Sequence, residues 1–508
     1  MDTLQLTNYR KFKDTGVIHL KPITFLVGAN SSGKSSFLKF FPLLKQSLGV
    51  NRNGTFLWYS SDVDFKDFLN TVHNGKGNID ISFTFSSQNL RFQRFRRRAN
   101  VKGLSEEDIA KTVEISVKLE ISGKKTNGKE NEDYFSLVVI KYLDQVVQIL
   151  ISEDENTQII INGHGIEAKF HPALSNNAIN LIPRIYEDRE DSLYMGVIRK
   201  SLDFFRKNIK TAENEESYPL MELEDAFYLI DKKVSSRYLK SLNIEGEDEV
   251  LNEMYILMHL NEIIENINYY LFDISTCITY VRPLRVSTER YYRYQNYAVD
   301  EIESDGKNLA MYLANLSEKD RMLFQDWTSS LFEFSIDVIK HEGHIELQIK
   351  DGVNSPRNLV DTGFGYTQLL PILTMIWNAI KAPSRRSIFY RGDGDIPKFI
   401  VIEQPELHLH PRMQAKFGAM LAKVIASAAG KNMRFIIETH SEAILNSVGI
   451  EIEQNNLDKD KANIVLFNAA EEGYENYIEE AQYNERGFVE HWPTGFLSED
   501  VYYNTALN

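Results

Sequence analysis

Eight residues near the N-terminus, Gly28-Ala29-Asn30-Ser31-Ser32-Gly33-Lys34-Ser35, match GxxxxGK[ST] at every fixed position. These types at this spacing suit one chemistry, the holding of a nucleotide's phosphates. Glycines let backbone N–H groups curl around phosphate oxygens, and a following helix N-terminus adds partial positive charge. Lys34 is placed to reach the β- and γ-phosphates, and Ser35 to offer its hydroxyl to Mg²⁺. The expected ligands are a nucleotide and Mg²⁺, held by Gly28, Asn30, Ser31, Ser32, Gly33, Lys34, Ser35 and Ser36.

A phosphate loop also needs an acidic group at the tip of a neighbouring strand, to organise the metal and its water. The apolar run Phe399-Ile400-Val401-Ile402 meets Glu403 and is followed by Gln404-Pro405-Glu406. Glu403 is therefore expected beside Ser35 at the metal. About 370 positions separate Lys34 from Glu403, a gap that compact Ras-like GTPases and simple kinases do not have. His408 and His410 carry a His-x-His spacing that a metal could also use.

These groups need rigid elements beneath them. Ile23 to Val27 reads as a buried strand running into Gly28, and SSFLKFFPLLKQSL after Lys34 as a helix kinked or restarted at Pro42. KFIVIE, MRFIIETH and NIVLFN read as further buried strands. Between the first two of these lies an amphipathic helix with Pro411 near its start and Gly430 just past its end. Such alternation predicts a parallel sheet of the α/β class. Segments from IDISFTF to QIIING have strand periodicity, whereas residues 190–272 shift to a helical period. FEFSIDVIKHEGHIELQIK predicts a hairpin turning at Glu342-Gly343. The expected organisation is a nucleotide-binding α/β head split between residues 1–78 and 276–508. A β-rich arm at 79–189 and a helical insertion at 190–275 interrupt it.

Composition sets the outer bounds. The 508 residues carry 72 acidic and 57 basic side chains, a formal net charge of −15, which argues against a surface wholly devoted to nucleic acid. Hydrophobic residues at 43% are enough to bury a core. The longest apolar run, Leu369 to Ile380, includes Pro371, Thr374 and Asn378 and falls short of the ~20 residues that a membrane span needs. The N-terminus has no signal pattern, and Cys277 is the only cysteine, which excludes an intrachain disulfide. A cytoplasmic protein without membrane contact is expected. One local exception to the acidity is Arg91-Phe92-Gln93-Arg94-Phe95-Arg96-Arg97-Arg98. Its arginines could neutralise phosphates while its rings stack on bases; equally, it could be a solvated edge or a docking patch for an acidic partner.

GANSSGKSS, VDTGFGYTQLLP, FIVIEQPELHLHP and FIIETHSE, in that order, resemble the ABC-type ATPase heads of the SMC/RecF/OLD group. Within it they look like the bacterial AAA-type ATPases whose acidic motif reads IEQPE-x-HLHP. YVRPLRVSTERYY and GFVEHWPTGFLSED resemble segments of the same proteins. The resemblance implies that Gly363, Gly365, Thr367 and Gln368 belong to a signature loop that caps the γ-phosphate held by a second copy. It implies that His440 is a switch histidine facing the γ-phosphate or attacking water, and that His408 and His410 lie in a loop of dimer contacts. Active heads of the group carry glutamate where this chain has Gln404, and an amide orients water without taking its proton. Hydrolysis is then slow or carried by Glu406. The metal-sensing glutamine of such heads has only Gln88 and Gln93 as candidates here.

The resemblance further implies a homodimer or higher homo-oligomer. Relatives of the OLD kind carry a nuclease domain after the head, for which about 70 residues past His440 leave no room. A separate effector, a nuclease or toxin, is therefore expected. ATPases of this build resemble sensor subunits of bacterial phage-defence systems of the Septu and PARIS kinds. The alternatives are a RecF-like DNA clamp, with the Arg91–Arg98 cluster as its contact, and a nucleotide-binding scaffold that barely hydrolyses.

Overall fold

In the computed structural model the described residues are 1–88, 112–126, 129–142, 145–166, 170–173, 179–187, 248–283, 289–294, 299, 301–352, 355–382, 396–468 and 477–490. The Arg91–Arg98 cluster, Gln93, residues 190–247 of the expected helical insertion and the GFVEHWPTGFLSED segment beyond residue 490 lie outside them.

The nucleotide-site elements belong to a seven-stranded sheet. Its order is Ile278–Val281, Lys398–Glu403, Met433–Glu438, Ile23–Gly28, Ala462–Asn468, Tyr477–Tyr483, Val489–Glu490. The first five strands are parallel, and the last two add on antiparallel. Every residue of Ile23–Gly28 is buried, as a strand covered on both faces requires. Leu26, Phe399, Val401, Ile436, Val465 and Phe467 face one core. The intervening Phe25, Val27, Ile400, Ile402, Ile437 and Ile464 face the other. The two-residue period thus divides each strand between two cores.

The second core is closed by helices Leu309–Asn315, Phe364–Lys381, Pro411–Ala426 and Glu442–Glu453 and by the hairpin Phe334–His341/His344–Asp351. The hairpin turns where the sequence places it, with His341 opposite His344. The first core is shared with an eleven-stranded antiparallel sheet and with helix Asp248–Thr276. That sheet runs from Arg184–Glu187 through Ile79–Gln88 to the opening strand Thr3–Tyr9, so the first strand of the chain joins the arm-like sheet rather than the parallel one.

Two boundaries differ from the sequence expectation. The helix after the phosphate loop breaks at Lys39 rather than at Pro42, giving Lys34–Leu38 and then Phe40–Ser47. Pro42 falls in the first turn of the second piece, where its missing N–H costs nothing. The helix from Pro411 ends at Ala426, before Gly430, which closes a separate 3₁₀ turn Ala428–Gly430 capped by Ser427.

Candidate functional site

The buried strand Ile23–Gly28 delivers the phosphate loop to the carboxyl edge of the parallel sheet, the edge where open α/β sheets bind ligands. Two glycines are required by close approach. A Cβ at Gly33, whose φ is +110°, would meet the buried Phe12 ring at 2.5 Å, and one at Gly28 would strike the Phe467 carbonyl. Phe467 also packs its ring against Phe12 and Phe37. Lys11 braces the outside of the loop by donating to the Ser31 carbonyl at 2.7 Å. Asn30 and Ser31 are exposed on the loop, and Ser36 is half-buried on the helix behind it.

Lys34 is buried, and its Nζ donates to the carbonyls of Gly28 at 2.7 Å and Ala29 at 2.8 Å. Burial pulls its ammonium below the ordinary lysine range, against the opposing pull of Glu438 and Glu406. Two buried polar atoms at the site have no hydrogen-bond partner, Ser32 Oγ in the loop and His440 Nε2. Burial, followed by the Lys34 charge, holds the His440 imidazole below its ordinary value, hence neutral at pH 7. Unsatisfied buried donors and acceptors are costly, so this cradle is built for a polar ligand with several oxygens. The triphosphate of ATP fits it.

The strand tips bring two carboxylates together, in an order that differs from the sequence expectation. Glu403 is not on the strand beside the phosphate-loop strand; Met433–Glu438 lies between the two. The crossover through helix Pro411–Ala426 inserts that strand, because the phosphate-loop strand enters the sheet from the far end of the chain and pairs on its free edge. Glu438, which the sequence reading passed over, therefore stands at the adjacent tip. Its Oε2 accepts from Ser35 Oγ at 2.7 Å. Glu403 lies opposite it in register and accepts from Tyr280 Oη at 2.5 Å. Burial pushes both carboxyls above the ordinary glutamate value, Glu438 despite the Ser35 hydrogen bond and Glu403 despite the one from Tyr280. The signal for Glu438 was present in FIIETHSE, an acid closing an apolar run two residues before His440.

Glu406 has both oxygens occupied within the chain. Oε2 accepts from Thr439 Oγ1 and Oε1 from the His440 N–H, each at 2.8 Å, so this carboxylate clamps the turn that carries His440. Gln404 holds a left-handed backbone, φ +44°, and its N–H donates to the Glu438 carbonyl at 2.8 Å. Non-glycine residues in that region store strain and concentrate at functional sites.

Gly363 caps the start of helix Phe364–Lys381 with φ +87°, and Gly365 approaches the His408 carbonyl. Gly363 is exposed, whereas Thr367 and Gln368 are buried in this chain's own core. Helical spacing turns them inward one turn after the cap. Beside the cap, Arg290 forms a two-armed ion pair with Asp361 at 2.6 and 3.1 Å. His410 caps helix Pro411–Ala426 by accepting from the Arg412 N–H, and no group of three His, Cys, Asp or Glu among the described residues is arranged to hold a metal. His410 thus serves as a helix cap. Among the described residues no helix is long and apolar enough to cross a membrane.

Comparison with known proteins matches residues 1–445 to the family described as AAA ATPase domain. Endonuclease GajA of Bacillus cereus (strain HuB5-5) is 27% identical over 230 residues, which is 43% of this chain and only 29% of the length of that relative. The Smc head domain of Pyrococcus furiosus, solved bound to the C-terminal domain of ScpA, aligns over 95% of this chain and 96% of its own, at 12% identity and a TM-score of 0.34. The SMC head domain from Thermotoga maritima aligns over 95% and 98% with the same identity and score. At those scores the likeness carries no argument, and the α/β P-loop fold is assigned from the strand order and the phosphate loop.

Proposed function

The chain belongs to the AAA ATPase domain family and is an ATPase, and from that premise we propose that it is the nucleotide-dependent sensor of a bacterial defence complex. In this reading two copies close around two ATP molecules, and a separate effector delivers the output. The observation that carries the nucleotide part is the cradle itself: Lys34 folded onto two loop carbonyls, with Ser32 Oγ and His440 Nε2 buried and unpartnered nearby. The defence part is supported by the likeness to an endonuclease over 230 residues and by the motif resemblance of the head.

Within this reading the phosphates are held by Lys34 Nζ, released from the Gly28 and Ala29 carbonyls, and by the backbone N–H groups of Gly33 to Ser35. Asn30, Ser31, Ser32 and Ser36 line the loop around them. Ser35 and Glu403 would hold Mg²⁺ in this reading. Bound Mg²⁺ supplies positive charge that neutralises the transferring phosphoryl group. Neutral His440 hydrogen-bonds the γ-phosphate or the attacking water. Gln404 orients that water without taking its proton, which makes turnover slow. Across the dimer, the cap of helix Phe364–Lys381 faces the partner's nucleotide with Gly363 and Gly365. Thr367 and Gln368 act there only by supporting the cap from within.

The test is native mass spectrometry of the protein expressed with its genomic neighbours, with ATP and Mg²⁺ present, beside Lys34→Ala. A stable assembly with a neighbour-encoded nuclease or toxin, lost with the substitution, supports the sensor reading. A bare homodimer carrying only ATP removes the effector and shifts the reading to a DNA clamp. No nucleotide on the wild-type protein sinks both.

A further inference from the structure

Motif logic assigns the metal-side carboxylate to Glu403, yet the structure gives the Ser35 hydroxyl to a different acid. Ser35 Oγ has one proton, and it is donated to Glu438 Oε2 at 2.7 Å. With the proton committed in that direction, the lone pairs of Oγ are left for another partner. Those lone pairs are what a hard cation coordinates. Glu403 Oε1 instead accepts from the Tyr280 hydroxyl of the neighbouring strand Ile278–Val281.

Glu438 also holds the opposite wall of the site. Its carbonyl accepts from the Gln404 N–H, fixing the residue whose backbone is left-handed. One residue thereby ties the phosphate-loop serine through its side chain and Gln404 through its main chain. Thr439, the next residue, bonds back to the Leu26 carbonyl, so the tip is anchored to the phosphate-loop strand as well. Its carboxylate is buried and has little freedom to leave Ser35.

We propose that Glu438 is the positioning residue for the divalent cation of the nucleotide site, orienting the Ser35 hydroxyl that ligates it. The inference rests on the nucleotide-site reading above. Outer-shell groups of this kind change metal affinity by about 10–100-fold when removed.

The experiment measures Mn²⁺ binding by the loss of the free-ion electron paramagnetic resonance signal, with a non-hydrolysable ATP analogue present. It compares wild type, Ser35→Ala, Glu403→Gln, Glu438→Gln and the Ser35→Ala/Glu438→Gln double variant. Affinity of a fluorescent ADP analogue in EDTA is measured on the same proteins. Glu438→Gln is expected to weaken Mn²⁺ binding about 10–100-fold. In the Ser35→Ala background it should add nothing further, because the pair acts as one unit. Metal-free nucleotide affinity should hold or tighten, since a negative charge near the phosphates is removed. Unchanged Mn²⁺ affinity in Glu438→Gln, with loss confined to Glu403→Gln, overturns the proposal. If Glu438→Gln does not fold, Glu438→Asp keeps the charge and shortens the reach. Weakened Mn²⁺ binding there supports the assignment, and wild-type binding overturns it. Wild-type protein that takes up no nucleotide with or without metal refutes the nucleotide-site reading itself, an outcome distinct from any change confined to the metal.

Discussion

Gln404 sits where a proton acceptor for the attacking water is expected, on a backbone strained into φ +44° and tethered to the Glu438 carbonyl. The neighbouring carboxylate that could replace it, Glu406, has both oxygens engaged by Thr439 and His440. Burial raises its proton affinity, but these donors hold it in a structural task. No free base therefore stands at the end of strand Lys398–Glu403. Gln404→Glu should raise kcat for ATP, by about 10²-fold if base catalysis is what limits turnover, with little change in ATP affinity. Steady-state phosphate release with a parallel binding titration checks this. Equal kcat in both proteins would place the limiting step in a conformational change or in product release.

At the scale of elements, polar contacts through an intervening loop fasten the arm-like sheet to the helix behind the phosphate loop. Gln46, on helix Phe40–Ser47, donates to the Leu57 and Val63 carbonyls and accepts from the Val63 N–H. The same loop then meets Asp133, on strand Lys129–Tyr142, through Thr55 N–H, Thr55 Oγ1 and Trp58 Nε1. Burial pushes the Asp133 carboxyl above its ordinary value of 3.8, even though the Thr55 and Trp58 hydrogen bonds pull it down. A carboxyl whose folded value is raised adds stability below its unfolded value and loses that contribution as pH rises through the folded one. The melting-temperature advantage of wild type over Asp133→Asn should therefore be larger at pH 4 than at pH 8, read by paired thermal melts. An advantage that grows with pH would mean that the three donors outweigh burial.

The phosphate loop was legible because all its determinants lie within eight consecutive residues flanked by an apolar strand. The hairpin at Glu342-Gly343 was legible for the same reason. Glu438 was not, because its importance depends on which strand lies next to which. Strand adjacency follows from a crossover and a pairing between residues about 400 positions apart, which no local pattern encodes. The break at Lys39 was missed because proline is conspicuous in sequence, yet it is harmless in a first turn.

For the whole molecule, nucleotide bound only by a closed pair of heads must favour the pair. Sedimentation in ATP and Mg²⁺ should shift the protein towards a dimer, and Lys34→Ala should remain in its nucleotide-free state. At ligand concentrations about 100 times Kd the linkage amounts to roughly 2.7 kcal/mol, enough to read easily. An unchanged sedimentation profile with ATP bound would mean that the exposed cap at Gly363 serves something other than a second copy.

Strand Ile23–Gly28 is completed only by Met433–Glu438 and Ala462–Asn468. On the ribosome, at about 5–20 residues per second, the phosphate loop waits roughly 20–80 seconds for the strands that hold it. During that interval a strand that is apolar apart from Thr24 has no partner on either edge, an invitation to chaperones. A message cut anywhere before codon 433 yields a polypeptide that carries the loop's full sequence without the sheet that shapes it. Translation that stalls early therefore releases fragments without a shaped phosphate loop, and only a ribosome that has read past Ala462–Asn468 completes the sheet around it.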